Sequence, residues 1–454
     1  INPDPKEDFL TTDGGALNFT LPLSGFTAQL FVADRVENRQ VGLAMNASKM
    51  HLKTNVFSSG YSGDFTFGQS YYTDKDVKAS GVQGAFTFDS KTLPSGRMII
   101  ADIEAKQKGI LPNFSADVAL KPMGTDEYSV KSALSVQNGL VTVSAEGAYA
   151  LAAHRWNLYV NIPKVILSET GLPLESVLPF MAGKLSKKTT GAFAAKGRVT
   201  VERGKMSGPV TVLLENIGTQ WNGMDLNGVN GVVTLSSLLP LETPENQMLF
   251  VGRLNVGVPF GNALFNFKVV ADRGVQMANM RMQFADGQFK TIKPFFYPYD
   301  GSSSAILMEG NGIDLQTLTR GLKSSALQAD GTLNSEWKLS FGEKGLQIDQ
   351  AKLITKLPGT LHFDPSVKVR KTMDADVVKF LSEVIVKQMG VTIQGPMDGM
   401  LTFKTKIVGH SPLEQNNKTV QFEFANSFKN LLKDDSAAID LPSDVMLSIQ
   451  NFMK

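Results

Sequence analysis

Residues 333–341 read Leu333-Asn334-Ser335-Glu336-Trp337-Lys338-Leu339-Ser340-Phe341. Leu333, Ser335, Trp337, Leu339 and Phe341 alternate with Asn334, Glu336, Lys338 and Ser340. Period-two alternation places one set on each side of a strand, one side dry and the other wet. The pattern recurs outward in both directions. Phe265, Phe267 and Val269 oppose Asn266 and Lys268, and Met280, Met282 and Phe284 oppose Arg281 and Gln283. Leu401, Phe403, Thr405 and Ile407 oppose Thr402, Lys404 and Lys406. Phe422 and Phe424 flank Glu423, with Gln421 on its side. Trp156, Leu158, Val160 and Ile162 repeat the pattern earlier, and Phe250 to Val258 reads the same way. The fold class is therefore mostly β, built of antiparallel strands, with a few short amphipathic helices.

Turn chemistry fits this reading. Asp286-Gly287, Asp330-Gly331 and Asp398-Gly399 read as hairpin pairs that supply positive φ. Pro358-Gly359 and Gly395-Pro396 read as breakers between strands, and Gly310-Asn311-Gly312 as a turn. Asp374 to Met389 reads as the best helix, with Val377, Phe380, Leu381, Val384 and Ile385 on one stripe and Gly390 as its C′ residue. Shorter helices are expected over Ile313 to Leu322, Ser168 to Gly183 and Ser443 to Lys454. The domain reading is a β-rich groove segment at 1–150, a Pro-containing connection at 151–190 and a second β-groove segment at 191–454.

Composition narrows function. The chain has 454 residues, 42% of them hydrophobic and 19% charged, enough for a large core and too apolar for disorder. Lys and Arg number 45 against 43 Asp and Glu, so no basic face for nucleic acid is expected. No apolar run approaches the ~20 residues of a membrane-spanning helix. The chain begins at Ile1, not Met, and reads as an excised piece whose anchor lies upstream. Cys is absent, which excludes thiolate chemistry and favours a cell-envelope location. His51, His154, His362 and His410 lie far apart, and Asp374 with Asp376 reads as helix capping. No enzyme activity, catalytic residue, metal or cofactor is expected.

A long β chain without a catalytic constellation either holds something greasy or packs its dry faces shut, and alternation does not separate the two. Phe (28) and Met (18) enrich the dry faces, and Met is adaptable lining. The residues read as lining a groove are Phe265, Phe267, Val269, Met280, Met282, Phe284, Leu333, Trp337, Leu339, Phe341, Leu401, Phe403, Ile407, Phe422 and Phe424.

From Ala329 to Pro365 the chain carries Gly331-Thr332-Leu333, then Gly345-Leu346-Gln347-Ile348, then Pro358-Gly359-Thr360-Leu361-His362-Phe363. A strand at Met400 to Val408, the turn Gly409-His410-Ser411-Pro412 and a last strand at Thr419 to Ala425 follow. In this order the region resembles YdbH-like proteins of the AsmA and TamB group, over roughly residues 190 to 454; the turn departs in having Ser411 where the family has Asn. The resemblance implies an elongated, curved antiparallel β-sheet forming a hydrophobic groove, in a periplasmic, bridge-like protein, anchored in the inner membrane, that carries phospholipids between inner and outer membranes along that groove. It also implies a small outer-membrane lipoprotein partner (YnbE-like). With the undefended alternation of Thr419 to Ala425, it makes Gln421 and Glu423 the expected partner edge. A chaperone of outer-membrane proteins acting by β-augmentation, and a structural β protein with closed cores, stand as the alternatives.

Overall fold

The structure, a computed structural model, describes residues 11–20, 26–38, 43–54, 61–73, 77–105, 113–136, 139–168, 189–202, 205–221, 224–323, 326–342, 345–364, 379–412, 416–432 and 453. The chain is mostly β, in an open antiparallel sheet with few short helices. It divides into two compact units, Ile1–Val212 with Leu235–Pro240, and Leu213–Thr234 with Leu241–Lys454.

The first unit is an up-and-down meander. Its strands are β1 (Thr11–Thr20), β2 (Phe26–Asn38), β3 (Leu43–Thr54), β4 (Tyr61–Thr73), β5 (Val77–Asp89), β6 (Ser95–Ala105), β7 (Phe114–Pro122), β8 (Glu127–Val136), β9 (Val141–Ala150), β10 (Arg155–Leu167) and β11 (Thr190–Glu202). Each pairs antiparallel with the next. Long β-branched and aromatic runs with polar residues between them favour this pleated, half-buried state. Ala195, Val199 and Val210 form a core cluster against Val160, Ile162 and Val201. Two strands, β12 (Lys205–Trp221) and β13 (Met224–Leu239), contribute to both units.

The second unit continues with β14 (Leu241–Glu242), β15 (Gln247–Asn255), β16 (Pro259–Val270), β17 (Gly274–Phe284), β18 (Gly287–Thr291), β19 (Phe295–Pro298) and β20 (Ser304–Asp314). Helix α1 (Leu315–Arg320) follows, then β21 (Leu327–Ala329), β22 (Thr332–Gly342), β23 (Gly345–Leu357), β24 (Gly359–Phe363), β25 (Val384–Pro396), β26 (Leu401–His410), β27 (Lys418–Asn426) and helix α2 (Phe428–Leu431). Pairing runs β15–β16–β17–β18–β20–β22–β23–β25–β26–β27, all antiparallel. A side ribbon pairs β21 with β24 and β24 with β25. Asp314 caps α1, its carboxylate accepting from the Thr317 amide at 2.6 Å.

Several sequence expectations need correction. Residues 379–381 are helical, but Val384–Pro396 is strand β25, not the end of a helix. Val384 and Val386 are buried while Ile385 and Lys387 are exposed, so period two wins there, and β25 gains ladders with β23, β24 and β26. Gly390 is mid-strand, opposite Ile354 and Lys406. Residues 374–378, most of 168–183 and nearly all of 443–454 lie outside the described residues.

Gly310-Asn311-Gly312 is inside β20, not a turn, at a bulge between Gly310 and Ile313. A Cβ on Gly310 would stand 2.4 Å from Ser335 Oγ, so the glycine answers to close approach. The turn between β17 and β18 is Ala285-Asp286, both at positive φ, one residue before the expected pair. Asp330-Gly331 joins β21 to β22, which do not pair with each other; β21 pairs β24 instead. The strand from Phe250 ends at Asn255, short of Val258. Asp398-Gly399 does join the paired strands β25 and β26, and α1 lies within the expected Ile313 to Leu322.

Register divides the two sides of each strand energetically. Ile407 is 1% exposed, and Ile354, on the reverse side, is 52% exposed. Ile407→Ala is expected to cost about 2–5 kcal/mol, and Ile354→Ala less than about 0.5 kcal/mol. Urea denaturation midpoints of the two variants check this, and equal midpoints would contradict the face assignment.

Candidate functional site

Residues directly opposite on paired strands share a face of the sheet. In the first unit this traces one dry track: Phe65 opposes Phe86, Phe86 opposes Gly96, and Gly96 opposes Leu120. Leu120 opposes Val130, Val130 opposes Gly147, Gly147 opposes Leu158, and Leu158 opposes Val199. The track crosses eight strands from β4 to β11, roughly 34 Å at ~4.8 Å per strand. The reverse face is polar. Arg97 pairs with Asp117 through two hydrogen bonds, one at 2.7 Å, and Lys131 approaches Glu146 to 3.8 Å. The Arg97 guanidinium holds the Asp117 carboxyl below the usual carboxylate range.

The dry face of β4, β5 and β6 opens into a cavity of about 640 Å³, inside the roughly 300–1,000 Å³ range of ligand sites. Phe65, Phe67, Tyr72, Phe86, Met98 and Ile100 are half-buried in its wall. Ser70, also in the wall, turns its hydroxyl to the Gly68 carbonyl at 3.1 Å. The rings lie down on glycines: a Cβ at Gly84 would stand 2.5 Å from Phe67 Cζ, and one at Gly96 would stand 2.5 Å from Phe86 Cδ1. Phe67 and Phe86 stack nearly parallel, with centroids 6.2 Å apart. Larger residues at Gly84 or Gly96 would lift the rings and fill the space.

In the second unit the residues read from the sequence fall on one track. Phe265 opposes Met280, Met282 opposes Phe289, Phe289 opposes Gly310 and Met308 opposes Trp337. Trp337 then opposes Ala351, Ala351 opposes Ile393, Ile393 opposes Phe403 and Phe403 opposes Phe424. Phe267, Val269, Phe284, Leu333, Leu339, Phe341, Leu401, Ile407 and Phe422 sit on the same side through register or alternation. Most of this track is packed. Leu333, Met282, Trp337, Leu339, Leu401, Phe403 and Ile407 are buried, and Phe424 is 39% exposed. Rings meet across strands, Phe260 with Phe289 at 5.5 Å and Phe289 with Trp337 at 6.1 Å. The Trp337 indole donates to Ser335 Oγ at 2.8 Å. A Cβ on Gly257, between β15 and β16, would lie 2.4 Å from the Met397 carbonyl, between β25 and β26. Strands that far apart in the ladder touch only because the unit curls over its dry side.

Gln421 and Glu423 are exposed on the reverse face of β27, opposite Lys406 and Lys404, and Glu423 reaches Lys404 at 3.4 Å. Among the described residues β27 has a ladder on one side, to β26. Sequence reading missed Phe65, Phe67, Phe86, Met98 and Ile100. Their signal was available: Gly63-Asp64-Phe65-Thr66-Phe67 and Gly84-Ala85-Phe86-Thr87-Phe88 are the same G-x-F-T-F phrase on adjacent strands.

Among the described residues no three His, Asp or Glu side chains gather as a metal site, and no helix is long and apolar enough to cross a membrane. The groups with displaced pKa, Asp89, Arg97, Asp117, Tyr128, Tyr299 and Asp300, all lie outside the cavity wall. The site's chemistry is apolar contact.

Residues 27–424 match the family model described as YdbH-like, intermembrane phospholipid transport protein YdbH. No curated protein and no solved structure matches the chain. The family match begins well before residue 190 and takes in the open cavity of the first unit as well as the packed track of the second. The chain belongs to the YdbH-like family of intermembrane phospholipid transport proteins.

Proposed function

We propose that the chain is a periplasmic, bridge-like carrier that moves phospholipids between inner and outer membranes with their acyl chains against the dry face. The observation that carries this reading is the cavity on β4–β6, large enough for a ligand and walled by phenyl rings, Met98 and Ile100. Each methylene taken from water contributes ~0.8 kcal/mol, so ten buried methylenes supply about 8 kcal/mol without any polar contact. Headgroups remain at the wet rim, where charge is solvated. A wall that is apolar but for Ser70 and Tyr72 favours no one position along a chain, which suits sliding more than tight capture. Anchoring in the inner membrane is part of this proposal. The residues from Phe265 to Phe424 on the second unit's track are proposed as a second apolar surface for acyl chains, reached when its packed side opens.

Phe67→Asp is expected to remove this binding. A carboxylate in the wall must be solvated or neutralised, at a cost of several kcal/mol, and every 1.4 kcal/mol is about tenfold in affinity. Mass spectrometry of lipids extracted from the purified protein checks it: phospholipid with the wild type, and at least about tenfold less with a folded Phe67→Asp. Equal lipid in both proteins would overturn the cavity as the lipid site.

Strand β27, laddered on one side among the described residues, is the proposed docking place for a strand of a small outer-membrane lipoprotein. Photocrosslinkers at Gln421 and Glu423 are expected to give adducts to such a protein in cells. Crosslinks confined to this chain would remove the docking proposal and leave the transport proposal standing.

A further inference from the structure

The chain leaves β27 at Asn426 and does not continue outward along the sheet edge. Ser427 caps the four-residue helix α2, its hydroxyl accepting from the Asn430 amide at 3.2 Å. Phe428 then lands on Phe403, ring to ring at 5.9 Å and 87°, and is buried there. Phe403 belongs to the dry track, stacked on Phe424 at 4.9 Å. Beyond α2 the backbone joins the loop after α1: the Lys323 amide donates to the Leu431 carbonyl at 2.8 Å, and Leu322 and Leu432 form an isolated antiparallel bridge. The Lys323 ammonium also reaches the Lys429 carbonyl at 2.5 Å.

The loop carrying Lys323 leads into β21, which pairs with β24, and the ladder then runs β24–β25–β26–β27. The segment therefore ties β27 to a loop that is not its ladder neighbour, and the Phe428–Phe403 contact puts it on the dry side. Its fastenings are few beside the continuous ladder from Leu401 to Gly409 that holds β26 to β27. A helix of four residues has no stability of its own, since isolated helices shorter than about 12–15 residues are marginal in water. Among the described residues, what ties the segment to other elements is the Lys323 clamp, the bridge and the buried Phe428 ring.

We infer that residues 427–432 are a releasable strap, closed in this structure, which covers the end of the dry track and lifts to admit an acyl chain to Phe403 and Phe424. The inference rests on the transport reading above. The bridge supplies the test. Because the Lys323 amide bonds the Leu431 carbonyl, Leu322 and Leu432 form a non-hydrogen-bonded pair, whose Cα atoms stand about 4.5 Å apart, within the span a disulfide tolerates. The chain has no cysteine of its own, so Leu322→Cys with Leu432→Cys introduces a single oxidisable pair.

The full-length double variant is loaded from vesicles of phosphatidylethanolamine and phosphatidylglycerol carrying fluorescent phosphatidylethanolamine, and release to unlabelled acceptor vesicles is timed. The oxidised form is expected to hold phospholipid but release it at least about tenfold more slowly than the reduced form, and reductant is expected to restore the rate. Equal release by loaded oxidised and reduced protein would overturn the strap alone. Failure of both forms to load would overturn the transport reading and the strap with it. A lipid-free readout runs beside it: Phe403→Cys is expected to react faster with a maleimide when Phe428→Ala is also present. Unchanged reactivity would count against release by loss of that ring.

Discussion

Antiparallel register is the constraint on which the rest of this molecule depends. A one-residue slip between any two strands would send an entire dry side to water and an entire charged side inward. The ladders hold this phase from Phe65 to Val199 and from Phe265 to Phe424, so that side chains far apart in sequence share one surface. Where a strand loses phase, as between Gly310 and Ile313 or between Asn266 and Phe267, a bulge absorbs the extra residue and the dry side resumes beyond it. Opposed charges on the reverse face, Lys290 with Glu309 at 2.8 Å and Lys404 with Glu423 at 3.4 Å, agree with the same register.

How open a dry side is depends on curl, and curl is set by small residues more than by the apolar ones. In the second unit Gly257 lets one loop meet the Met397 carbonyl, and Gly310 lets Ser335 and Phe289 close in. The side chains there touch one another and exclude water. In the first unit Gly84 and Gly96 let Phe67 and Phe86 lie flat against the backbone, which leaves volume above them. The same device, a missing Cβ under a large neighbour, gives a packed core in one unit and an unfilled hollow in the other.

Strands were the legible part of this sequence, because alternation such as Leu333 to Phe341 is a local property of five or six residues. Face membership followed from it: Phe265, Met280, Trp337, Phe403 and Phe424 share a side because each strand keeps its own phase. Asp374 to Met389 misled because Val384 and Ile385 continue the helical stripe of Val377, Phe380 and Leu381 as readily as they fit a strand, and only the neighbouring ladders of β23, β24 and β26 decide between them. Turn placement was legible to within a residue at Asp286 and misleading at Asp330, where the partner of β21 comes from 32 to 36 residues downstream. The open cavity was not legible, since packing and hollowness use the same residues and differ only in which distant strand comes near. The repeated G-x-F-T-F phrase was its one local trace.

The two sides of a strand such as β6 answer to different solution variables. Arg97 faces outward to Asp117, and this exposed pair weakens as ions accumulate within a Debye length of it. Met98 and Ile100 face the hollow, where no charge is present for salt to screen. Their attraction for hydrocarbon follows the heat capacity of hydration, weakening on cooling and strengthening with salts that are excluded from apolar surface. Brine loosens the outer skin of the sheet and tightens the grip of the hollow; cold loosens the hollow.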